Sequence, residues 1–94
     1  MDKILNSINT RLTYIRSNSS NTYILKQCDI IDEKLDEIRN KKYETSEMVN
    51  QVCDNIINRD ISLMKRVAGE TNMVYKKMDE LAGFIDELKT LYFE

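Results

Sequence analysis

The chain is expected to be all-α, and three features of its sequence say so. Its 94 residues contain no proline, the strongest helix breaker. Apolar residues return every three or four positions along nearly the whole length. No stretch alternates apolar and polar residues for long enough to require a strand. The predicted architecture is a short N-terminal helix, a turn, and then a long heptad-patterned helix with candidate breaks at 40–46 and 60–69. It forms a coiled coil or helical bundle as one domain over residues 1–94.

The first element is an amphipathic helix over residues 1–16. Leu5, Ile8, Leu12 and Ile15 fall on one stripe at spacings of three and four. Asp2 suits its N-terminus, where a carboxylate meets unbonded N–H groups and the positive end of the helix dipole. Residues 17–22 are then small and polar, Ser17-Asn18-Ser19-Ser20-Asn21-Thr22, and the apolar phase does not carry through them. Such side chains bond nearby backbone and favour turns and caps. A turn is expected here, with Asn21 or Thr22 capping the next helix.

The long helix is expected over residues 23–92. Its first seam runs Ile24, Cys28, Ile31, Leu35, Ile38, Lys42, Thr45, Val49, Val52, Ile56, Arg59 and Leu63. A second seam runs Val67, Thr71, Val74, Met78, Leu81, Ile85, Leu88 and Tyr92. Joining them takes successive four-residue steps at Arg59, Leu63 and Val67, a stutter in the heptad register. Two features weaken the rod. Lys42 and Thr45 are successive polar seam positions, and Gly69 lies just past the stutter. With no Gly or Pro in 40–46, continuity is preferred there.

A single helix of this length cannot bury its own stripe, so the stripe needs a partner. The N-terminal helix folding back, a second copy or a different protein would each serve. The apolar members of the seams are therefore the candidate interface for self-association or for helical partner subunits. They are Ile24, Cys28, Ile31, Leu35, Ile38, Val49, Val52, Ile56, Leu63, Val67, Val74, Met78, Leu81, Ile85, Leu88 and Tyr92. β-Branched residues at d in the first seam lean toward trimers or tetramers, and Leu at d in the second leans toward dimers, so the stoichiometry stays open.

Chemistry is sparse. The chain has no histidine, so the commonest base and metal ligand is missing. Asp29, Asp32, Glu33, Asp36 and Glu37 cluster on one helix but lack the glycine-turned loop of a calcium site, and they read as a solvated acidic face. Neither Gly69 nor Gly83 belongs to a glycine-rich phosphate loop. Cys28 and Cys53 make neither a disulfide framework nor a CxxC pair, and read as buried, reduced side chains of an intracellular, reducing compartment. No catalytic residues, metal site, cofactor or small-molecule substrate are expected.

The net charge is −2. It hides an asymmetry: Lys3, Arg11, Arg16 and Lys26 against Asp2 leave residues 1–27 at +3, and residues 28–60 stand at −4. No run approaches the roughly 18 apolar residues of a membrane span. Basic residues are dispersed among acids, so nucleic-acid binding through the basic first segment is only a weak third reading. The expected function is a non-enzymatic coiled-coil scaffold or adaptor subunit that mediates protein–protein assembly. The alternative is a small viral or phage effector binding a host protein through a helical face.

Overall fold

Three of the helices start where a side chain answers the backbone. The computed structural model describes residues 2–70 and 72–92. Helix α1 (Asp2–Ser17) buries Leu5, Ile8, Leu12 and Ile15, the stripe read from the sequence. Helix α2 (Thr22–Arg39) is capped by Asn21, whose side-chain oxygen accepts from the N–H groups of Tyr23 at 2.9 Å and Ile24 at 3.1 Å. The turn between them is thus shorter than expected by one residue at each end.

The helix expected over 23–92 is corrected to three rods. The first break falls at residues 40–45, inside the marked stretch, against the preference for continuity there. Lys41 adopts φ +56°, the left-handed conformation that usually selects glycine. Two hydrogen bonds close the helix end around it: Lys41 N–H to Ile38 O and Lys42 N–H to Glu37 O, both 3.1 Å. They are the paired bonds of a Schellman motif, built here on lysine. Tertiary contacts hold that lysine. Its Nζ donates to Tyr92 O at 3.0 Å and lies 4.3 Å from the centre of the Tyr92 ring. Tyr92 in turn donates its hydroxyl to Tyr43 O at 3.1 Å, and the Tyr43 hydroxyl bonds Glu37.

Thr45, read as a seam position, is instead the N-cap of α3 (Ser46–Asn55), its hydroxyl accepting from Met48 N–H at 3.2 Å. Helix α3 runs on through a π-helical turn (Ile56–Ile61) into α4 (Ser62–Ala68), so the three segments make one rod. The second break spans residues 69–72. Gly69 ends α4 at φ +81°, and Asn72 caps α5 (Met73–Leu91) by accepting from Val74 N–H at 3.0 Å. Thr71, assigned above to the second seam, lies outside the described residues, as do Met1, Phe93 and Glu94.

The π turn replaces the expected stutter. Four residues beyond the buried Ile56 an α-helix would point Asp60 into the core. The extra residue of the π turn puts Ile61 there instead, 1% exposed, with Met64 following. Asp60 is displaced toward α2, still only 4% exposed, and accepts from Lys34 Nζ at 2.7 Å. The slip also corrects the seam: Arg59 is exposed, Leu63 only partly buried, and Val67 45% exposed.

The four rods pack as an antiparallel bundle. Arg11 meets Glu80 and Phe84 of α5 while Tyr14 meets Lys77, so numbers rise along α1 as they fall along α5. Asp54–Lys89 and Lys65–Asp79 show the same reversal between the third rod and α5. Helices α1 and α5 pack together, α5 packs on the third rod, and α2 closes the ring between the third rod and α1. The bundle measures 37 × 22 × 18 Å. Its α1–α2 and α4–α5 turns share one end, and the 40–45 connection and the end of α5 share the other.

This closure spends the seam. Ile24, Cys28, Ile31, Leu35, Ile38, Val49, Ile56, Val74, Met78, Leu81, Ile85, Leu88 and Tyr92 all lie in the chain's own core, none more than 3% exposed. They had been expected to face a partner. Cys53 joins them in place of Val52, which packs only partly against the core. Folding back satisfies the stripe more cheaply than association does, because the connections hold the facing stripes together without the entropy cost of bringing two molecules into contact.

Candidate functional site

With the seam consumed, a functional surface must be sought on what the bundle leaves outside. A groove of about 540 Å³ runs along the third rod beside α5. The π turn and α4 supply Ile57, Asn58, Ile61, Ser62, Lys65 and Arg66 on one wall, and Tyr75 and Ala82 of α5 face them. Gly69 and Glu70 close the end at the α4–α5 turn. Ile57, Ile61 and Ala82 are the aliphatic members of a lining that is otherwise mostly polar.

The rim is polar. Lys65 bonds Asp79 and its Nζ stands 4.8 Å from the centre of the Tyr75 ring. The bond to Asp79 raises its pKa above the ordinary lysine value. Arg66 and Glu70 are both exposed, and neither makes an ion pair among the described residues. Val67, 45% exposed, and Met73, 61% exposed, flank the same turn. Tyr23, 38% exposed, begins α2 at this end of the bundle. Met48, 43% exposed, lies toward the other.

Of the sixteen residues expected at an interface, only Val67 stands in the open, with Val52 and Leu63 partly covered. Sequence reasoning missed Ile57, Ile61, Arg66, Glu70, Tyr75 and Ala82 as a group. Ile61 and Met64 carried a signal, a second apolar line one residue out of phase with Leu63 and Val67. Gly69 followed by Asn72 was a legible stop and restart.

The reactive side chains are withdrawn. Cys28 and Cys53 are unpaired, buried thiols. Burial pushes each to about 11, far above the range in which a thiol becomes a nucleophile at neutral pH. The acidic face of α2 is largely engaged: Arg16 binds Asp29 at 3.1 Å and also Asp32, Arg39 binds Asp36, and Glu37 holds Tyr43. Among the described residues no group of three or more His, Cys, Asp or Glu side chains is placed to hold a metal ion. No described helix is long and apolar enough to cross a membrane.

These features define an all-α, four-rod antiparallel bundle with a groove between its third rod and α5. Compared with known proteins, the chain matches no family model, no curated protein and no solved structure.

Proposed function

We propose that this chain is a non-enzymatic assembly subunit that works by binding protein, with copies of itself as the first partner. One observation carries the reading. After the core has closed, four large apolar side chains stay exposed, Tyr23, Met48, Val67 and Met73, and a groove lined in part by Ile57, Tyr75 and Ala82 lies open between the third rod and α5. The withdrawn thiols and the absence of histidine support a binding role over a chemical one, and two unpaired cysteines suit a reducing compartment.

The heptad seams no longer supply the means of assembly, since their residues lie inside one chain. Association must use the outer surface. A second reading has its own support: a bundle with a complete core is also what a monomeric effector needs to occupy a different protein with the same face. Light scattering coupled to size exclusion, run across a concentration series, decides between them. A mass rising to an integer multiple of 11.1 kDa supports assembly. A monomer at every concentration overturns it in favour of the effector.

A further inference from the structure

We propose that the 40–45 connection is a hinge, through which two copies of this chain exchange their α1–α2 halves. Opened, it joins α2 and α3 into one helix, and α1–α2 of each copy packs on the third rod and α5 of the other. The assembly reading above concerns the outer surface of a closed bundle. This exchange reuses the core and stands apart from it.

Three features make this connection a hinge. The first is register. Ile38, Lys42, Thr45 and Val49 step by four, three and four, so a helical connection would carry the seam of α2 into that of α3 in phase. The second is composition. Asn40-Lys41-Lys42-Tyr43-Glu44-Thr45 holds neither glycine nor proline, so nothing in it forbids a helix. The third is backbone. Lys41 stands at φ +56°, a conformation that disfavours an L side chain, and opening the hinge returns it to an ordinary helical one. Short connections held in such a conformation invite exchange between copies.

What closes the hinge is the end of α5. Lys41 Nζ donates to Tyr92 O at 3.0 Å and Tyr92 donates its hydroxyl to Tyr43 O at 3.1 Å, so α5 clasps the turn at two points. Thr45 adds its cap on α3. Opening gives up these contacts and keeps the core. The contacts between the two halves, Arg11–Glu80 and Lys34–Asp60 among them, reform between copies. Closed and exchanged forms therefore share one core and differ at the hinge, and protein concentration sets the balance between them. Lys42, exposed in the closed bundle, has a stem long enough to carry its charge to water where the two joined helices cross.

Refolding the full chain from urea at about 10 μM and about 1 mM, followed by size exclusion at one low concentration, tests the hinge. A dimer is expected from the concentrated sample, and it should persist after dilution, because reversion requires the core to open. Lys41→Ala and Lys41→Gly lose the same side-chain contacts, but glycine suits the left-handed turn and alanine suits the helix. With two hinges in each dimer, the ratio of dimer to monomer squared should be about a hundredfold higher for Lys41→Ala than for Lys41→Gly. A second pair of variants separates exchange from surface contact. Arg11→Glu and Glu80→Arg each set like charges against one another between α1 and α5, in the closed chain and in their own dimers. In a mixed exchanged dimer both pairs are opposite again. Refolded together, they should form the mixed species well above the roughly half that random pairing gives, read by native mass spectrometry. Far-UV circular dichroism checks that each variant folds. Dimers that dissociate on dilution, or that mix at random, overturn the exchange and leave the assembly reading standing. Equal yields from the two Lys41 variants overturn the hinge at 40–45. No dimer from either the wild type or Lys41→Ala at about 1 mM overturns the exchange outright.

Discussion

Lys34 Nζ lies 2.7 Å from a side-chain oxygen of Asp60, and this contact joins α2 to the π turn of the third rod. Asp60 is 4% exposed, whereas the Lys34 side chain keeps 28% of its surface. The two ends of the pair are therefore unequal. Removing the lysine strands a buried carboxylate, while removing the aspartate leaves an ammonium that reaches water.

Lys34→Ala should lower stability by about 2 kcal/mol, the cost of a buried acceptor left without its charged partner. Asp60→Leu should cost less, or stabilise, because leucine suits the core line that the π turn was formed to spare. Urea denaturation of both variants measures this. A larger loss from Asp60→Leu than from Lys34→Ala would refute the stated role of the pair.

The register beyond Ile56 makes a second, opposed pair of expectations. Ile61→Ala removes a fully packed side chain and should cost about 2–4 kcal/mol. Val67→Ala alters an exposed position and should stay within about 0.5 kcal/mol. The heptad register read from sequence demands the reverse order, so thermal melts of the two variants decide which register the protein uses.

The two glycines should respond with opposite signs. Gly69 sits at φ +81°, where any Cβ is strained, so Gly69→Ala should destabilise by about 1 kcal/mol or more. Gly83 lies within α5 with nothing within 4 Å of where a Cβ would stand. Gly83→Ala should stabilise by about 0.5–1 kcal/mol through helix propensity alone. Denaturant midpoints report both.

Alkaline pH should unfold the protein earlier than its ion pairs alone would suggest. Cys28 and Cys53 are held near 11 by burial against an ordinary value of 9.0, and Tyr43 near 12 against 10.0, by burial and by its bond to Glu37. A group whose folded pKa is raised contributes stability that is intact below its unfolded value and lost as pH climbs through the folded one. For the thiols that window is pH 9 to about 11. Stability should fall across it, and Cys28→Val should flatten the fall. A thiol reagent at pH 8 should react with the native protein far more slowly than with the unfolded chain. Native rates equal to unfolded rates would show the thiols to be accessible.

Much of the fold was legible because it rests on local chemistry. The stripe Leu5, Ile8, Leu12 and Ile15, the cap at Asn21 and the alignment of Ile24 to Ile38 depend on neighbours three or four residues away, and a sequence displays those directly. The candidate surface was not legible. Its lining residue Ile61 is brought inward, and Val67 left exposed, by a one-residue slip, and that slip goes with a contact between Asp60 and Lys34 twenty-six residues earlier.

The amino-acid pattern by itself determined that this protein is helical, where α2 begins to within a residue, and most of the side chains that leave water. Only the tertiary structure decided what covers them. Heptad spacing describes a stripe but does not distinguish a neighbouring molecule from a later part of the same chain. That choice was made at Lys41, held in a left-handed turn by Tyr92 fifty-one residues away, and at Gly69. Once those turns close, the stripes meet within one chain, and any partner is left to the surface that remains.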